Sequence, residues 1–476
     1  MRRTKMGIEN TEEESFDCDK GWAEVELGSV YFGDARLNKR FLKVAETLSA
    51  QPQAPINQAS EDWAAAKAAY RLFSNKKVTE EKLFKVHQER TKQRMIGEEV
   101  VLAIQDTTYL NYDEHDKCAG LGSIGTEELK GIILHHTFAI STSGVPLGLI
   151  TQNKNTRVEV KRLSDKEKSS LPIEKKESYR WIEALRKTVE IGSGAKKVVT
   201  VCDREADIYE FLMEAENLKT HYLIRSSANR NVEGEYIGNL VEAVEKEDLG
   251  GMIEVKIPSR NGKKGRTAEV EIKFTEVTLC PPRRMKSAES IELKPLKVSV
   301  VLATEKNTPE GVEALRWILL TNVKVNSLED AVERICWYRA RWHIEVYHKV
   351  FKSGCKVEDC RLQTVERLNL YLTLFGIIAW RIYWFTHINR AAPNASVEVV
   401  LTKRETKVLT LIASNKKGSP VKIKTVRQAV TEIAKLGGFL ARRHDGLPGV
   451  TVIWRGWHRF SDAVDIYDAM HSQRCG

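Results

Sequence analysis

Apolar residues recur in three rhythms along the 476-residue chain, and each rhythm predicts a different kind of element. From Trp22 to about Gln93 the spacing is three and four residues, in GDARLNKRFLKVAETLSA, SEDWAAAKAAYRLFSN and TEEKLFKVHQERT, which predicts helices. Asp34 stands where it can cap the first of these, and the small residues Ala64 to Ala69 suit close helix packing. The second rhythm is short and continuous. Val100 to Ile104 predicts a buried strand that delivers Asp106 at its end, and GIILHHTFAIST with VPLGLITQNK predicts a strand pair turning at Ser143–Gly144. ESYRWIEALRKTVEIG reads as an amphipathic helix, Val198 to Val201 as a strand running into Asp203, and HYLIR at 221–225 as another strand. The third rhythm alternates. Between about Ala228 and Asn322, MIEVKIP, AEVEIKF, LKVSVVLA and RWILLTN are separated by RNGKKGR and Pro281–Pro282, which predicts a β-rich insertion rather than more α/β.

Leu328 to Gly354 then predicts one long helix, opened by Ser327 with Glu329 and Asp330 and free of Pro and Gly until its end. At about 100° per residue, Tyr338, Arg341, Glu345, Lys349 and Lys352 fall within a stripe of roughly 80°. One carboxylate is thus flanked by basic residues on both sides. A solvated face laced with ion pairs would look similar, but Trp337, Trp342, Tyr347 and Phe351 make the helix too aromatic for that alone. A second apolar helix, Glu366 to Asn389, precedes a linker at NRAAPNAS, and the last stretch, including VRQAVTEIAKLGGFL, is again helical. The boundaries drawn are a helical DNA-binding module at 1–85, a catalytic α/β domain at 86–392 with its insertion at about 228–325, and a helical C-terminal region at 393–476.

Composition changes this picture in two places. A formal charge of +10 with a pI near 9.0 points to a polyanionic partner, nucleic acid first among them. Arg36, Lys39 and Arg40 crowd the opening turns of the first long helix, which fits a small DNA-binding module; a helical cap on the next domain is the bland alternative. The eight cysteines form no CxxC pair and predict reduced thiols in a cytoplasmic protein. The N-terminal residues 1–20 are charged and polar, predicting disorder and lacking the apolar centre of a signal peptide. The run Leu370 to Phe385 is broken by Arg381 and reads as too short to span a membrane.

Three carboxylates arrive by separate routes: Asp106 and Asp203 from strands, Glu345 from a helix. Singly, each has a mundane reading, since Asp106 precedes Thr107–Thr108 and Asp203 can cap the segment after it. If they converge at one edge of a sheet, an all-oxygen donor set favours Mg2+ or Mn2+ over zinc. Two such ions about 4 Å apart can activate an attacking oxygen and stabilise the leaving one in phosphodiester cleavage.

QDTTYL around Asp106, CDREAD around Asp203, and Y-x2-R-x3-E-x6-K at Tyr338, Arg341, Glu345 and Lys352 together resemble the bacterial cut-and-paste transposases of the IS-four insertion-sequence family. WAEVELGSVYFGDARLNKR, AAYRLF, ALRWILLT and AKLGGF extend the resemblance nearly end to end. It implies an RNase H-like core of DDE type with a β-strand insertion, an N-terminal module reading double-stranded transposon ends (terminal inverted repeats), target DNA as a second nucleic-acid partner, and a C-terminal region pairing two protomers as a homodimer. It implies two Mg2+ (or Mn2+) ions at Asp106, Asp203 and Glu345, with nicking, hairpin formation, hairpin hydrolysis and strand transfer as the reaction. By position, Tyr338, Arg341 and Lys352 correspond to phosphate contacts, Arg225 to a further DNA contact and Trp317 to the ring that stacks a flipped base; Lys349, Trp342, Arg36 and Arg40 join them as DNA-binding candidates. Val346, rather than a second acid, follows Glu345, and RSSANR after Arg225 carries fewer basic or bulky residues than the pattern leads one to expect. Two other readings remain open at this level: a metal-dependent DNA nuclease that cuts without joining, and a DNA-binding regulator derived from a transposase.

Overall fold

A computed structural model describes residues 21–157, 171–233, 238–257, 265–282 and 293–472. The polar stretch 1–20 and most of RNGKKGR lie outside the described residues. The chain divides into two compact units. One joins the residues up to Val86 with Ser353–Asp359 and everything from Arg381 onward; the other comprises His87–Lys352 and Cys360–Trp380.

The second unit is built on a sheet. Strands β1 (Val101–Asn111), β2 (Gly122–Ile124), β3 (Thr126–Ser141) and β4 (Pro146–Asn155) are followed by β5 (Val198–Cys202) and β6 (His221–Arg225). β1 is the hub. It pairs antiparallel with β3, which pairs with β4, and parallel with β5, which runs parallel to β6. Parallel neighbours need a crossover, and the helix Tyr179–Gly192 supplies it between β4 and β5. Trp181, Ile182 and Leu185 of that helix are buried together with Phe211 and Leu212 of the helix Tyr209–Asn217, over Tyr222 and Ile224 of β6. Gly144 turns the β3–β4 connection at φ +87°, a left-handed conformation that suits glycine.

One expectation changes here. Asp106 does not end its strand: β1 continues five residues past it to Asn111, because Thr107 to Leu110 keep pairing with β3. The insertion is rich in strands and joins this sheet. Its strands β7 (Asn231–Glu233), β8 (Gly238–Asn239), β9 (Gly251–Ile257), β10 (Arg266–Leu279), β11 (Leu296–Lys306) and β12 (Arg316–Thr321) prolong the same sheet, since β12 pairs antiparallel with β6. A short helix, Leu240–Lys246, capped by Asn239, also lies within the insertion.

The other unit is helical. Ala35–Ala50, Trp63–Phe73, Lys403–Lys417, Val426–Leu436 and Val450–Ser472 are its main helices. Asp34 caps the first by accepting from the backbone of Arg36 and Leu37, and the Thr402 and Thr425 capping boxes open two of the C-terminal ones. Arg381, half-buried, sets its guanidinium over the rings of Trp22 and Trp457, 4.9 and 4.7 Å from their centroids. The helix Val365–Ala391 that carries it is long and apolar enough to cross a membrane, longer than expected, yet 83% of its apolar window is buried within the protein. The run is mostly core, and the half-buried Arg381 within it finds aromatic partners in Trp22 and Trp457.

Candidate active site

Asp106 leaves β1 in mid-strand, and Asp203 follows β5, the parallel neighbour of β1. Asp203 does cap the turn after it, accepting from the Glu205 N–H at 2.9 Å, so the mundane role and a place at the strand end coexist. Glu345 comes from the long helix expected: Leu328–Ala340 and Trp342–Lys349 are separated by Arg341 alone, whose backbone stays helical at φ −52° and ψ −31°, and only the end, Val350–Gly354, departs by widening into a π-helical turn. Arg341 sets its guanidinium between two acids, with Glu345 one turn further on. Arg341 donates to Asp106 Oδ2 at 3.3 Å and to Glu345 Oε1 at 2.7 Å.

The electrostatics bring the third acid in. Burial pushes the Asp106 carboxyl up to about 7; Arg341 opposes this, while the charges of Asp203 and Glu345 add to it. Burial works against the Arg341 charge too, but Asp106 and Glu345 more than compensate and hold its pKa above the usual value. The set is thus three acids in a half-buried site with one internal cation. Among the described residues no three His, Cys, Asp or Glu side chains are gathered tightly enough to ligate an ion as they stand. The donor set itself fits Mg2+ or Mn2+: oxygen only, partly desolvated, and mutually repelling.

The basic stripe is distributed differently from a straight helix. Tyr338 is buried, and burial raises its pKa while the charges of Arg341 and Arg225 oppose the rise. Arg225 donates to the Arg316 carbonyl at 3.1 Å. Trp317, half-buried on β12, meets Tyr338 edge to face at 5.2 Å. Lys349 is exposed, as is Trp342 at 40%. Lys352 falls in the π-helical turn, off the expected stripe, and donates to the Tyr109 carbonyl at 2.8 Å. In the helical unit, Arg36 and Arg40 are exposed on the outer face of their helix.

Sequence reasoning passed over two clusters. Asp207, whose carboxylate is fully buried, takes bonds from Ser226, Ser227, Ala228 and Arg230, pinning the loop that follows Arg225. Behind Asp106, His135, His136 and His348 are buried, and burial pushes His136 well below the usual imidazole range and His348 down to about 3. The doublet His135–His136 inside an apolar strand was the visible signal.

A family model described as Transposase DNA-binding matches residues 19–78, where Arg36 and Arg40 stand. Another, described as Transposase Tn5 dimerisation domain, matches residues 377–472. With a helical unit of that content and a sheet that carries grouped acids, the chain is a transposase, a DNA-processing enzyme that binds DNA and dimerises. The two matches support a Tn5-like transposase of the IS4 family.

Proposed function

We propose that Asp106, Asp203 and Glu345 hold divalent metal ions and that the protein performs cut-and-paste transposition of a DNA segment. What carries the reading is Arg341 bridging Asp106 and Glu345 in a site where Asp203 also acts on Asp106. Mg2+ or Mn2+ bound there would supply Lewis-acid activation of the attacking oxygen and charge neutralisation at the leaving one. The strand order β4-β3-β1-β5-β6, with β1, β5 and β6 parallel, supports an RNase H-like core.

The chain's own residues do the rest. Arg341 moves from carboxylate to phosphate when DNA enters, a planar fork suiting either partner. Arg225, Lys349 and Lys352 add positive charge along the strand, and Trp317 offers a ring to a base turned out as the end is bent into a hairpin, worth roughly 1–3 kcal/mol of stacking. The sequence of bond changes is hydrolysis freeing a 3′-OH, attack of that hydroxyl on the opposite strand, hydrolysis of the resulting hairpin, and attack of the 3′-OH on target DNA. Arg36 and Arg40 belong to the module that reads the terminal repeats, and two protomers pair two ends in the bacterial cytoplasm. Labelled transposon ends incubated with the protein, with and without Mg2+, test this. Glu345→Gln should bind ends within about threefold of wild type while cleavage drops at least about a hundredfold, a rise of some 2.7 kcal/mol in the barrier. Full cleavage by that variant overturns the assignment, and products cut but never joined to target favour the nuclease reading.

A further inference from the structure

The imidazoles behind the acids take no part in the chemistry above. In the β1–β3 ladder Asp106 stands directly opposite His136, so both side chains leave the sheet on one face. His348 lies three residues beyond Glu345 on the helix above, within the same turn. The two rings meet there, His136 Nδ1 and His348 Nε2 being 3.0 Å apart. On its other side, His136 Nε2 is 3.4 Å from the Tyr347 hydroxyl, which is 3.3 Å from the Gly376 carbonyl oxygen. That carbonyl can only accept, which sets the direction of the chain: Tyr347 donates to Gly376, His136 Nε2–H donates to Tyr347, and His348 Nε2–H donates to His136 Nδ1. Phe138 stacks on Tyr347 at 4.8 Å and Phe351 meets His136 edge-on at 5.8 Å, so the rings have little room to turn.

We propose that His136 and His348 are positioning residues, whose hydrogen bond holds the helix bearing Glu345 at a set height over the strand beside Asp106 and so sets the spacing of the two acids before ion or DNA arrives. This rests on the metal-binding reading of those acids. The test is Mn2+ binding by the full-length protein without DNA, read from the electron paramagnetic resonance of free Mn2+, alongside thermal unfolding. His348→Gln places an amide N–H where Nε2–H lies, and His136→Asn places an amide oxygen where Nδ1 lies; both keep the bond and should bind Mn2+ within about threefold of wild type. His348→Leu, and the mismatched amides His348→Asn and His136→Gln, should weaken Mn2+ binding about tenfold or more, the scale of losing an outer-shell partner. The double variant His136→Phe/His348→Leu, which strands no buried polar partner, should recover melting temperature but not Mn2+ affinity.

Wild-type affinity in the leucine or mismatched variants, or affinity that merely follows melting temperature across the series, overturns the proposal. Should His348→Leu fail to fold, the matched and mismatched amides decide. If wild type binds Mn2+ no better than Asp106→Asn, the metal-binding reading falls first and takes this inference with it.

Discussion

Arg341 sits where a cation is needed before any metal or DNA is present. It spans Asp106 and Glu345, and the charge it supplies is what lets two acids share a half-buried site. Removing it should therefore open the site to ions while crippling the grip on DNA. Arg341→Gln is expected to bind Mn2+ about tenfold more tightly without DNA, equivalent to roughly 1.4 kcal/mol, and to lose most cleavage. Isothermal titration with Mn2+ checks the first half; unchanged or weaker affinity would mean that the arginine does not compete with metal. The acids were legible in the sequence because each follows or sits within a recognisable element and carries a charge where apolar residues are the rule. Asp207, His136 and His348 were not, because a single polar residue in a buried strand or loop gives no sign of its partner 20 or 212 residues away.

At the level of elements, the helix that bears Glu345 shows how far periodicity reaches. Its existence and the stripe that sets Arg341 beside Glu345 were readable; the π-helical turn at Val350–Gly354 was not, since Gly354 marks where the helix ends and not that its last turn widens. Lys352 lies in that turn and reaches the Tyr109 carbonyl on β1. The same helix helps to bury His136 and His348, while His135 is buried against Trp181, with a consequence for acid stability. In the unfolded chain they take up protons near pH 6.5. Folded, His135, His136 and His348 resist protonation through burial first of all, so the stability gained by keeping them neutral is present above that pH and is lost as the pH falls. Asp106 runs the other way: its folded carboxyl takes a proton near 7, ahead of the unfolded one, and adds stability on acidification. Three imidazoles outweigh one carboxyl, and the metal-free protein should destabilise below about pH 6.5. His136→Asn/His348→Gln should reduce that slope by up to two protons, about 2.7 kcal/mol per pH unit, in thermal unfolding between pH 8 and 5. An unaltered slope would show that these rings titrate freely.

For the whole molecule, the excess of ten positive charges makes DNA affinity a matter of counter-ion release. Binding to end DNA should fall about a thousandfold or more between 50 and 200 mM salt if six or more phosphates are contacted. A filter-binding series measures the slope, and a flat response would count against the basic surfaces as DNA contacts. The grouping of N- and C-terminal helices into one compact unit, in which Trp22 and Trp457 both meet the Arg381 guanidinium, was invisible to a reading in chain order. So was the continuity of the insertion with the central sheet through β6 and β12, since alternation of apolar residues says that a strand exists and not which strand it joins.

By itself the sequence determined the element types, the basic character, the transposase resemblance and the candidate acids, because these are written in local periodicity, residue chemistry and motif spacing. Tertiary structure alone decided which groups meet: Arg341 between Asp106 and Glu345, His136 under His348, Asp207 against the loop after Arg225. The reason is that such contacts are set by strand pairing and helix placement over long separations, where the energy of one hydrogen bond leaves no trace in the residues on either side of it.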